Sequence, residues 1–183
     1  GFQATGINTL NKELSKSFQT TLIAPDRERS SCGHAITLGE PLRVKEISPS
    51  VYSCTGFPAD CVLIGIGNIL KDSKPDLVVS GINHGANLGQ DRYYSGTIAA
   101  AREASFRGLK SISVSLVNNY TSGIEYFDVA AQFIAEMVQS GIHQFIGCRR
   151  CAASHTYKSK VVPNVPNTLF GKGTCVFFFV IAN

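Results

Sequence analysis

The stretch from Asp76 to Thr97, DLVVSGINHGANLGQDRYYSGT, decides the reading of the fold. It opens on a short apolar run, Leu77-Val78-Val79, behind Pro75-Asp76. A brief continuous apolar run of this kind predicts a strand buried on both faces, as in a parallel sheet. The strand is expected to give way to a loop holding Gly81, Asn83, His84, Gly85, Asn87 and Gly89. Glycine lets the backbone turn sharply and approach a ligand closely. Asparagine and histidine place neutral polar groups at the strand's carboxyl end, where open α/β sheets bind their ligands. Ser95-Gly96-Thr97 follows, and Ile98-Ala99-Ala100-Ala101 starts a helix. Hydroxyls and free N–H groups at a helix start make an anion site, typically for phosphate.

Outward from this stretch, helices and strands alternate. Ile7, Leu10 and Leu14 recur at helical spacing and predict an amphipathic helix over 6–18. Thr20-Thr21-Leu22-Ile23 predicts a strand ending before Pro25, with the polar run Asp26 to Ser31 as the loop beyond it. Residues 35–54, broken by Gly39, Pro41 and Pro49, predict short strands or a hairpin. Gly56-Phe57-Pro58 predicts a turn into a helix that runs to about Leu70 and buries Cys61, Val62, Ile66, Ile69 and Leu70. Asp60 falls in that helix's first turn, where a carboxylate complements the helix dipole, so a structural role is expected for it. A helix from Thr97 to Phe106 stops at Arg107-Gly108, Ser111 to Leu116 alternates as a strand, and 123–140 forms a last helix. The apolar stripe of that helix is Tyr126, Phe127, Ala130, Phe133, Ile134, Met137 and Val138. The alternation predicts an α/β fold with a doubly wound parallel sheet.

Composition narrows the classes. A chain of 183 residues is long enough for one domain with a real core. No apolar run is long enough for a membrane-spanning helix; the most apolar stretch, Cys175 to Ala182, is too short. The net charge of +4 is scattered, without the basic stripe interleaved with aromatics that marks a nucleic-acid binder. A modest positive balance suits small anionic substrates. Six cysteines without a secretory signal lead us to expect free thiols and a cytoplasmic location. Cys148-Arg149-Arg150-Cys151, with His155 nearby, has metal-like spacing but no second ligand pair, so neither a zinc nor a redox site is assigned to it.

Four blocks in order carry a resemblance to a known family. They are Ala24-Pro25-Asp26-Arg27-Glu28-Arg29-Ser30, Thr55-Gly56-Phe57-Pro58-Ala59-Asp60-Cys61, Ser80-Gly81-Ile82-Asn83-His84-Gly85-Ala86-Asn87 and Tyr94-Ser95-Gly96-Thr97. Over about Gly1 to Leu116 the chain resembles the SurE (survival protein E) family of metal-dependent nucleotide phosphatases. The resemblance implies a three-layer α/β/α, Rossmann-like fold. It implies hydrolysis of nucleoside 5′- or 3′-monophosphates with a divalent cation, Mg²⁺ or Mn²⁺. It assigns Ser30 and Asn83 as metal ligands through their side-chain oxygens, the donors hard cations prefer. It assigns Ser95, Gly96 and Thr97 to the phosphate, with Asn87 as a further contact. It also implies a homodimer or homotetramer, with a nucleoside monophosphate as the partner molecule. His34, His84 and Asp91 lie in the same loops, and none of them is assigned to catalysis.

The family pattern opens with a strand ending in Asn-Asp-Asp-Gly, and Gly1 matches its last residue. No catalytic residue is therefore assigned within the chain, because the aspartate pair would precede residue 1. Weak or no metal binding is expected of the chain as it stands, together with impaired activity and an unpaired edge where that strand would lie. The chain is expected to divide into a phosphatase core, 1–141, and a tail, 142–183, with no assignable domain. No periodicity holds in the tail, which reads as unrelated or mistranslated sequence. Two other readings stand beside the nucleotidase. One is a non-catalytic nucleotide- or phosphate-binding module, including a fragmentary pseudoenzyme. The other, a dinucleotide-binding oxidoreductase, fails because no Gly-x-Gly-x-x-Gly follows a first strand.

Overall fold

A computed structural model describes residues 1–117 and 126–141 with their side chains, and the backbone of two short strands at 153–156 and 177–178. The elements run α1 (Thr5–Leu14), β1 (Leu22–Pro25), β2 (Val44–Ser48), β3 (Val51–Cys54), α2 (Pro58–Ile64), β4 (Val78–His84), α3 (Asp91–Tyr94), α4 (Gly96–Phe106), β5 (Ser111–Leu116), α5 (Phe127–Gln139), β6 (Ala153–Thr156) and β7 (Phe177–Phe178). A single wider turn, Gly65–Ile69, continues α2.

The buried strands explain the layering. Along β1, Leu22 and Ala24 join one apolar cluster and Ile23 the other. Along β4, Val79 faces the first cluster and Val78 the second. Successive side chains of a strand point to opposite faces, so a continuous apolar run requires cover on both. Helices supply it. α1 and α5 pack on each other and on β4 at one face, while α2 and α4 pair at the other, over β1, β4 and β5. The result is the three-layer α/β/α arrangement. Two groups of hydrogen-bonded strands form the middle layer, in the orders β2-β3-β1-β7 and β4-β5-β6. All their pairings are parallel except the β2–β3 hairpin.

Several expectations are met with shifted bounds. The first helix ends at Leu14 rather than Phe18, and it buries Ile7, Leu10 and Leu14 as the spacing predicts. The region 35–54 does form a hairpin, but Ile36 and Leu38 before it are exposed. Tyr126 leaves the predicted apolar stripe, for it precedes the first turn of α5 and is exposed.

Two differences matter more. First, β4 does not stop at Val79 but runs through the Gly/Asn stretch to His84. Ser80 pairs with Ser113 and Asn83 with Ser115, so β4 holds one more residue than β5 between these points. That is a β-bulge. Second, β1 does not present the open edge that the sequence leads one to expect. Leu22 and Ile23 pair in parallel with Phe177 and Phe178 of β7, which also lies beside β4. An extended backbone there satisfies N–H and C=O groups that a bare edge would expose. The pair Cys148 and Cys151 and the side chain of His155 lie outside the described residues.

Candidate active site

The assigned residues lie in the loop after β1, at the end of β4 and at the start of α4. Ser95 caps α4. Its backbone is extended, and its hydroxyl accepts from the Ile98 N–H at 3.3 Å. Such a cap satisfies one of the free N–H groups at a helix start. Gly96 and Thr97 form the first turn, and all three residues are buried. A side chain at 96 has no room, because a Cβ there would stand 2.7 Å from Pro58 and 2.8 Å from the Cys32 sulfur.

The bulge in β4 decides which way Asn83 points. Without an extra residue, Asn83 would share the parity of Val79 and face α1 and α5. Instead Ile82 takes that face, in the cluster with Val79. Asn83 turns toward α4, where its Oδ1 accepts from the Thr97 hydroxyl at 3.4 Å. Its Nδ2 donates to the Gly85 carbonyl at 3.0 Å. The left-handed Gly81 makes the bulge possible: its φ is +134°, and a Cβ would fall 2.3 Å from the Val114 carbonyl oxygen. Asn87 is tied to the next strand, its Nδ2 donating to Ser115 Oγ at 2.7 Å. The structure therefore brings Asn83, Ser95, Gly96 and Thr97 into one cradle, with Asn87 braced beside it.

Ser30 approaches from the other strand group. It lies exposed in the loop after β1, and its hydroxyl donates to Glu28 Oε1 at 2.6 Å. Glu28 lies in the polar run after β1, where composition does not single it out. Glu28, Asp26 and Asp91 are all exposed, and Asp26 pairs loosely with Arg27 at 3.8 Å. Asp60 is structural, as expected, and for a reason beyond the dipole. Its carboxylate accepts from the Thr37 N–H at 3.0 and 3.1 Å, from the Thr37 hydroxyl at 2.7 Å and from the Phe57 N–H at 2.8 Å.

The loop from Ser30 to Ala35 is fastened to the cradle. The Gly33 N–H donates to the Tyr94 carbonyl at 2.8 Å. The Cys32 sulfur sits against Gly96, and burial pushes its thiol above the ordinary value. His34 Nε2 lies 2.9 Å from Oε2 of Glu103, an interior carboxylate on α4. Glu103 had no signal in the sequence, since its partner His34 is 69 positions away. His84 stands near the Phe127 ring, with centroids 6.0 Å apart.

The donor chemistry can be tested against a divalent cation. Ser30 Oγ, Asn83 Oδ1 and the Glu28 carboxylate are hard oxygen donors of the right kind. Among the described residues, however, no group of three or more His, Cys, Asp or Glu could hold a metal ion. The set fits a hard cation in donor type.

A three-layer α/β protein with a capped helix start beside the carboxyl end of a buried strand belongs in class among α/β folds of the doubly wound kind. Comparison narrows the class. A family model described as Survival protein SurE matches residues 1–172. A 5′-nucleotidase SurE of Aliivibrio fischeri is 47% identical over 140 residues, covering 76% of this chain and 52% of that protein. Its counterpart in Pelobacter propionicus is 50% identical over 139 residues, covering 76% of this chain and 55% of its own length. The crystal structure of the SurE protein from Aquifex aeolicus superimposes with a TM-score of 0.72 at 39% identity, over 79% of this chain and 57% of that one. The chain belongs to the SurE family. It spans about half the length of the curated relatives it matches. The match to residue 172 takes in part of the tail, where the sequence shows no legible pattern.

Proposed function

We propose that the protein is a phosphoric monoester hydrolase acting on nucleoside 5′- or 3′-monophosphates with Mg²⁺ or Mn²⁺. The observation that carries this reading is the cradle at the start of α4, where a capped first turn sets Thr97 against Asn83. The names of the relatives, 5′-nucleotidase SurE, support the same chemistry. A phosphate seated there meets the backbone N–H groups of the first turn and the positive end of the helix dipole. Ser95 and Thr97 fix the turn, Asn87 braces the loop above it, and Ser30 and Asn83 offer oxygens to the cation, with Glu28 contributing charge. Such a cation, when bound, polarises a phosphoryl oxygen and eases deprotonation of the attacking water. We further propose a cytoplasmic homodimer or homotetramer.

The described residues supply one carboxylate to this region, so we propose that full activity needs the Asn-Asp-Asp strand placed before Gly1. The position of Gly1 supports this. The Phe2 N–H donates to the Pro25 carbonyl at 3.0 Å. A residue attached before Gly1 would therefore enter at the carboxyl end of β1. The test is phosphate release from AMP with Mn²⁺, with and without chelator, on this chain and on one carrying that strand. Chelator-sensitive turnover by the extended chain alone is the expected result. Equal turnover by both would mean that Glu28 and its neighbours suffice. If neither turns over although the extended chain folds, the non-catalytic phosphate-binding reading replaces this one.

A further inference from the structure

We infer that His34 and Glu103 are positioning residues that hold the Ser30 loop against the phosphate cradle; the inference rests on the nucleotidase reading only for what the loop is positioned to do. Glu103 is buried on α4, two turns beyond the cradle, and a buried carboxylate is costly unless it is paired. Both its oxygens are used. Oε1 accepts from Arg107 Nε at 2.8 Å, within the helix, and Oε2 lies 2.9 Å from His34 Nε2. An ionised carboxylate can only accept, so His34 carries the proton on Nε2. The imidazole also stacks on Phe106, with centroids 5.8 Å apart and planes 10° from parallel. Its ring is thus held from two sides by α4.

The segment between Ser30 and His34 needs such a hold. Ser31 and Gly33 both take left-handed backbone, with φ of 52° and 55°. That conformation is unfavourable for a serine. Within the loop the Ala35 N–H donates to the Cys32 carbonyl at 3.2 Å, and three ties run outward, from Gly33 to the Tyr94 carbonyl, from Cys32 to the face of Gly96, and from His34 to Glu103. The first two are a neutral hydrogen bond and a contact. The third carries a full negative charge and is the strongest of the three. It joins the loop of β1, which bears Ser30, to the helix that bears Ser95 to Thr97. The two strand groups thereby keep their donors in fixed relation.

Amide hydrogen exchange on the metal-free chain tests the inference directly. In His34→Ala, exchange of residues 31–35 should rise at least about tenfold while β1 and α5 stay protected. His34→Gln, whose Nε2 can take the place of the imidazole N–H, should restore protection. Unchanged exchange in His34→Ala overturns the inference, and so does a rise spread evenly over the whole chain. The second readout is AMP turnover with Mn²⁺ in the extended chain. There kcat should fall about tenfold in His34→Ala, as is common when the support of a ligand is removed, while KM stays within about twofold. Loosened exchange with unchanged kcat would also overturn the positioning role. If the unsubstituted protein shows no turnover, the nucleotidase reading fails, and the exchange result still decides whether the pair holds the loop.

Discussion

Asp60 and Asn83 both fall in motif blocks that contain glycine, and both are buried polar groups, yet they do different work. The Asp60 carboxylate is fully spent on Thr37 and Phe57, which pins the segment before β2 to the start of α2. Replacing it with alanine strips donors of their acceptor in the interior. Asp60→Ala should therefore cost about 2–3 kcal/mol, the penalty for leaving buried donors unmet. Urea unfolding followed by circular dichroism would measure it as a lower midpoint with an unchanged slope. Asn83 makes weaker ties, a 3.4 Å contact to Thr97 and a bond to the Gly85 carbonyl. Its oxygen is therefore available to a ligand in a way that the oxygens of Asp60 are not.

At the scale of elements, α1 crosses β4 so closely that only glycine fits at the contact. A Cβ on Gly6 would fall 2.4 Å from the Ile82 carbonyl oxygen and 2.9 Å from the Phe127 ring. Helix propensity alone says that Gly6→Ala should stabilise α1 by about 1 kcal/mol. The close approach says the opposite, since the nearest atom is backbone in the bulge and cannot step aside. Overpacking of this kind costs roughly 1–3 kcal/mol, so the substitution should destabilise the protein. A thermal melt showing a raised midpoint would mean that α1 stands farther from β4 than described. The amphipathic spacing of Ile7, Leu10 and Leu14 was legible in the sequence, as was the existence of nearly every element through α5. The extension of β4 to His84 was not. Gly81, Asn83 and Gly85 are the residues of a loop by composition, and only pairing with β5 draws them into the sheet.

On the scale of the whole molecule, the tail contributes to the sheet layer. β7 pairs with β1, and β6 pairs with β5 through Ile112↔Ala153 to Ser115↔Thr156. Removing residues 142–183 would bare one edge of each strand group. Unpaired parallel edges promote association, so the shortened chain should scatter more light at equal concentration than the full one. Equal scattering would mean that these pairings protect nothing.

The sequence by itself determined the α/β class, the buried strand at Leu77 to Val79, the capped helix start at Ser95 and, through its four blocks, the family. These are local matters: apolar period, turn chemistry and short motifs are written in neighbouring residues. The direction of Asn83 and the joining of His34 to Glu103 were decided only in the tertiary structure. One extra residue in β4 reverses the facing of every side chain after it, and that shift is defined only against β5. The His34–Glu103 pair spans 69 positions and becomes a contact only when α4 is laid across the ends of the strands.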